Sequence, residues 1–113
     1  MLRIYYTDEG GELRVDLDGH GDLRNFENLD VMCAAVTTLT NTLSFSVIRA
    51  ENAGMLDENP TVYVGEDGEG KGRILCVPKP EYYSIVRTMF ETVIGGYQIL
   101  ATYYPDHVEF SRG

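Results

Sequence analysis

Between residues 12 and 18 apolar and polar side chains alternate strictly, with Leu13, Val15 and Leu17 set against Arg14, Asp16 and Asp18. That is the pattern of a strand with one buried and one wet face. From Met32 the spacing changes. Met32, Val36, Leu39, Leu43 and Val47 fall three or four residues apart and form one stripe of a helix running to about Asn52. A strand pattern cannot settle as a helix, nor the reverse, so this switch of period dictates a mixture of the two. The chain makes the switch twice.

The remaining elements follow from the same signals. Residues 2–7 and 12–20 read as strands joined by a turn at Asp8–Gly11, and residues 21–29 as a loop. Residues 52–60 form a connector, with Gly54 as a helix stop and Pro60 as a further break. A second hairpin is expected at 61–66 and 72–78 around the Gly-rich segment 67–72. From Glu81 a second helical stripe runs through Tyr83, Val86, Phe90, Val93, Tyr97, Leu100 and Tyr104. Gly95 and Gly96 interrupt it, and a helical glycine costs about 1 kcal/mol relative to alanine, so the pair is expected to mark close packing of another backbone. Val108 and Phe110 alternate with polar neighbours in a last strand, 106–113. The order is β-β-α-β-β-α-β. The fold class is α+β, a mainly antiparallel sheet with two packed helices in a single domain over residues 1–113.

With 113 residues and 43% hydrophobic content the chain can build one ordinary core. Its 18 acidic residues against 9 basic ones give a net charge of −9. Direct nucleic-acid binding is not expected, because phosphate recognition needs clustered Lys and Arg. An acidic surface suits basic partners or simple solvation. No run of 18 apolar residues predicts a membrane span, and the N-terminus does not read as a signal peptide. A cytoplasmic location is expected. The two cysteines, Cys33 and Cys76, show no zinc-like spacing, so neither a metal nor another cofactor is expected, and a disulfide is not expected in that compartment.

The stretch that carries chemistry is 18–36. A thiol of ordinary pKa, roughly 8.5, is mostly protonated at neutral pH; a helix N-terminus or a neighbouring imidazolium lowers it. Asp30 reads as an N-cap, which makes Cys33 a first-turn residue near unpaired backbone N–H groups. Cys33 also falls about 80° off the centre of the apolar stripe. Thr37 and Thr40 lie on its side, and the small Ala34 and Ala35 leave room for a substrate backbone. His20 ends a strand between Gly19 and Gly21, and Gly21 permits close approach of a substrate. Each residue also has an ordinary reading: a solvated turn histidine, a small apolar helix residue, a simple cap. Cys76 in its strand is expected to be buried and inert. His107 is read as a surface turn residue rather than a partner for Cys33. Tyr83, Tyr97 and Tyr104 offer a dimer seam.

Gly19-His20-Gly21 followed by Asn28-Leu29-Asp30-Val31-Met32-Cys33-Ala34-Ala35 resembles the ribosomal-processing cysteine protease family, Prp, whose pattern is Gly-His-Ala, a short loop, then Gly-x-Asp-Ile-Val-Cys-Ala-Ala. The element order and chain length are also similar over nearly the whole chain. The resemblance implies a small cytoplasmic homodimeric endopeptidase that removes the N-terminal extension of large-subunit ribosomal protein L27. It implies Cys33 as nucleophile, His20 as general base and Asp30 as a supporting residue. The sequence departs from the family at Gly21, where Ala is usual, and at Asn28, where Gly is common. Its His-to-Asp segment is one residue longer. Asn, like Gly, tolerates left-handed backbone. The other readings are a non-catalytic dimeric module for ribosomal or other basic peptides, and a thiol redox sensor using Cys33.

Overall fold

The computed structural model describes residues 1–19, 27–64 and 71–113, with side chains in the middle segment described from Met32 onward. The elements run β1 (Leu2–Glu9), β2 (Glu12–Asp18), α1 (Glu27–Asn52), β3 (Thr61–Val64), β4 (Lys71–Cys76), a short 3-10 turn (Pro80–Tyr82), α2 (Tyr83–Tyr103) and β5 (Val108–Arg112). The five strands form one sheet in the order β3-β4-β2-β1-β5. Three of its pairs are antiparallel, and β1 pairs with β5 in parallel. The α+β class and the β-β-α-β-β-α-β order are those expected from the sequence.

Alternation decides which face of the sheet is covered. Ile4, Tyr6, Leu13, Val15, Leu17, Ile74 and Cys76 are buried beneath the helices. Arg3, Tyr5, Arg73 and Tyr63 point to the other, open face. The β1–β2 turn is Gly10-Gly11, with φ of 63° and 80°. Two positive φ values in a two-residue loop match the right-handed twist of the flanking strands, and glycine adopts them without strain.

The helical stripes bury as read. Met32, Val36, Leu43 and Val47 of α1 meet Val86, Phe90, Val93, Tyr97 and Leu100 of α2 in one core. The α1 C-terminus closes on Gly54, at φ 74°. The Met55 N–H donates to the Ala50 carbonyl at 2.9 Å and the Gly54 N–H to the Glu51 carbonyl at 3.0 Å. These are the two bonds of a Schellman stop, and Met55 packs back onto the core.

Several expectations are corrected. Helix α1 begins at Glu27, so Glu27–Leu29 is helix rather than loop, and Asp30 is not its N-cap. Gly96 admits a side chain rather than a backbone: a Cβ there would lie 2.6 Å from Leu39 Cδ2, while Gly95 has nothing within 4 Å. Tyr97 is fully buried, with its hydroxyl 2.7 Å from Thr40 Oγ1, so it forms no surface seam; Tyr83 and Tyr104 are half-buried. Strand β2 ends at Asp18, β4 spans Lys71–Cys76, and β5 begins at Val108. The expected turn around 67–70 and the end of β3 at 65–66 lie outside the described residues.

Candidate active site

Cys33 sits six residues in from the start of α1. Only the first four N–H groups of a helix lack intrahelical partners, and the dipole effect fades beyond the first turn. Cys33 therefore lies beyond the first turn, where the sequence reading had placed it. Asp30 lies one turn before Cys33 on the helix, a spacing that puts the two positions on neighbouring parts of one flank. The Asp30 side chain is outside the described residues, as are His20 and Gly21.

The exposure of Cys33 agrees with its angular position. It is half-buried at the edge of the core, whereas Cys76 is completely buried. Burial, with a smaller contribution from Glu12, pushes the Cys76 thiol up to about 12. Neither cysteine is in a disulfide. Ala34 is exposed. Ala35 is half-buried against the core, and at two residues along the helix it is turned about 200° from Cys33.

The approach to His20 is defined on its N-terminal side. Gly19 leaves β2 with φ 106°, and a Cβ there would collide with the Met1 carbonyl oxygen and lie 3.3 Å from its carbon. Only glycine suits that position. His107 occupies the turn before β5, half-buried, with its carbonyl accepting the Leu2 N–H at 2.9 Å. Strand β1 stands between it and β2, a separation of about 10 Å. His107 is thus a turn residue, as read.

Along the Cys33 flank of α1, residues three, four and seven further on are Val36, Thr37 and Thr40. They form one wall of a slot of about 130 Å³ whose other wall is Leu2, Leu17, Val64, Lys71 and Gly72. Its origin is a gap in the inner face of the sheet. Leu17 and Val64 each pair with Gly72, one from either side, and Gly72 places no side chain between them. The sequence reading missed Gly72; its signal was a glycine inside a strand pattern, which marks close approach. The Thr40 hydroxyl already donates to the Val36 carbonyl at 2.8 Å and meets Tyr97, so it brings no spare polarity to the slot.

The open face carries a wider concavity, about 540 Å³, around Asp16, Asp18, Tyr63, Lys71 and Arg73. Asp16 is held there between Arg14 at 2.6 Å and Arg73 at 2.7 Å. Among the described residues no group of three His, Cys, Asp or Glu side chains is placed to hold a metal, and no helix is long and apolar enough to cross a membrane.

No family model matches the chain, and no curated protein matches it. Solved structures do. An essential ribosomal processing protease, Prp from S. aureus, in complex with a substrate peptide, matches over the whole of both chains at 17% identity and a TM-score of 0.66. The same protease in complex with a covalently linked product peptide matches over the whole of both chains at 19% identity and a TM-score of 0.67. SMU.848 from Streptococcus mutans matches at 24% identity and a TM-score of 0.66, over all of this chain and 96% of that one. The chain has the fold of the ribosomal processing protease Prp.

Proposed function

We propose that this protein is a cysteine endopeptidase that removes the N-terminal extension of ribosomal protein L27, working in the cytoplasm as a homodimer. The observation that carries the reading is the full-length fold match to a protease that holds a covalently linked product peptide. A covalent link to a peptide calls for a nucleophile, and of this chain's two cysteines Cys33 is the accessible one. In this reading His20 takes the Cys33 proton, and the Cys33 sulfur attacks the scissile carbonyl carbon. The C–N bond breaks, the leaving amine takes the proton from the imidazolium, and water then hydrolyses the thioester. Because Cys33 lies beyond the first turn of α1, the imidazole rather than the helix terminus supplies the activation. Asp30, one turn before Cys33, supports the pair, and Gly21 and Ala34 leave space for the peptide backbone. The net charge of −9 suits a basic ribosomal substrate.

The test is incubation with a peptide spanning the L27 extension, read by mass spectrometry. Wild type yields two fragments. Cys33→Ala and His20→Ala each lower kcat/KM by at least about 10³-fold. A second reading, a non-catalytic module for basic peptides, draws on the same displacement of Cys33 from the helix terminus. Tight binding without cleavage by wild type selects that second reading.

A further inference from the structure

We infer that the concavity at the end of the sheet far from Cys33 is a second peptide-binding site, taking an extended segment of the substrate that carries Lys or Arg. The inference rests on the reading of this chain as a protease for a basic ribosomal protein. It concerns the part of that protein lying away from the bond that is cut. The concavity measures about 620 Å³ and opens where the β1–β2 turn, the connector after α1 and segment 78–80 meet. Val77, Pro78, Pro80 and Tyr83 give it apolar walls, Asp8 and Asp57 give it carboxylates, and no Lys or Arg lines it.

Its charge is only half answered within the chain. The Arg87 guanidinium holds Asp8 at 2.9 Å. Asp57 is exposed, and among the described residues no cation pairs with it. Its backbone N–H donates to the Val77 carbonyl at 2.8 Å, which fixes it at the rim. Beside the turn, Glu9 and Glu12 stand directly opposite each other in the β1–β2 register. Like charges so placed repel, and no described Lys or Arg pairs with either. An end left this negative draws cations to it. A Lys or Arg side chain lays its methylenes on the apolar walls and keeps its charge at the carboxylate. An acidic segment is repelled, and a purely apolar one strips water from Asp57 without replacing it.

Distance sets what the site discriminates. From Cys33 to Asn52 α1 rises about 28 Å, and Asp57 follows the stop at that end. An extended peptide advances about 3.3 Å per residue, so roughly nine residues separate the cut bond from the residue held here. For an N-terminal extension that residue belongs to the body of the substrate. The site therefore tells the intact protein from a short peptide with the same cleavage sequence.

The probe is the fluorescein-labelled hexapeptide Lys-Ala-Lys-Ala-Lys-Ala, titrated into the protein by fluorescence anisotropy beside Glu-Ala-Glu-Ala-Glu-Ala. The lysine peptide binds and the glutamate peptide does not. Its amide shifts in nitrogen-15 NMR spectra centre on Gly10, Gly11, Asp57 and Tyr83. Asp57→Asn weakens it about fivefold and Asp57→Lys removes it. Asp106→Asn, an equal charge change at an exposed position before β5, at the opposite end, alters it less than about twofold. In cleavage, Asp57→Asn lowers by about fivefold the ratio of kcat/KM for full-length L27 to that for a peptide ending about five residues past the cut bond. No binding of the lysine peptide, equal binding of both peptides, equal weakening by Asp57→Asn and Asp106→Asn, shifts centred elsewhere, or an unchanged cleavage ratio each overturn the inference. Absence of cleavage by wild type removes the endopeptidase reading and leaves the site, which the hexapeptide reads without cleavage.

Discussion

Tyr6 carries its hydroxyl into the core with no hydrogen-bond partner among the described residues. Its ring lies 6.2 Å from that of Phe90, and the Arg112 guanidinium sits 5.1 Å above it. Those contacts belong to the ring, while a buried unpaired hydroxyl costs about 1–3 kcal/mol. Tyr6→Phe is therefore expected to raise unfolding stability by about 1 kcal/mol in urea titration; a loss of stability would refute it. Tyr97 differs because its hydroxyl meets Thr40 at 2.7 Å, so Tyr97→Phe is expected to lower stability by about 1 kcal/mol in the same assay. The two cysteines separate in the same way. At pH 8 iodoacetamide is expected to label Cys33 alone in the native protein, with Cys76 reacting only after denaturation, as peptide mapping by mass spectrometry will read. Cys76 was legible as inert because it stands in an apolar strand, where burial raises a thiol. The role of Asp30 was not legible. Aspartate is favoured both at an N-cap and within the first turn, so its presence does not say which of the two it occupies.

At the scale of elements, periodicity served well wherever one face of an element is buried and the other is wet. Leu13, Val15 and Leu17 took the inner face, and the α1 stripe from Met32 to Val47 took the core. It served poorly where small residues decide. Gly96 was legible as a contact but not its partner, because a stripe on one helix says nothing about which side chain of another helix will reach it. Leu39 does, and this predicts a sign reversal. Alone, Gly96→Ala gains helix propensity of about 1 kcal/mol but forces its Cβ on Leu39, at a cost of about 1–3 kcal/mol. In a Leu39→Ala background only the gain remains. A double-mutant cycle by thermal or urea unfolding is expected to show Gly96→Ala neutral to destabilising in the first case and stabilising by about 1 kcal/mol in the second. The slot at Gly72 was invisible for a related reason: it is a gap made by three strands meeting a helix, and the β2–β4 and β3–β4 registers had to be known before it could be seen.

Across the whole molecule, ionisation at high pH works against the fold at three buried groups. Tyr6, Tyr97 and Cys76 are each pushed up to about 12, chiefly by burial. A folded-state pKa raised above the unfolded one means stability that is complete below the unfolded value and is lost as pH climbs to the folded one. For the two tyrosines that window is about pH 10–12, with about 2–3 kcal/mol at stake for Tyr97 alone. The melting temperature by circular dichroism is expected to fall across that window, and Tyr6→Phe to make the fall shallower. The sheet also unites distant parts of the chain. Strand β5 lies against β1 in parallel, pairing Leu2 with Val108 and Tyr6 with Arg112. During synthesis, β1 must then wait with an unpaired edge until residues 108–112 have left the ribosome, and closing so large a loop slows folding. An open apolar edge held for that interval invites pairing with neighbouring chains, so the yield of soluble protein in a cell should depend on how promptly translation delivers residues 108–112.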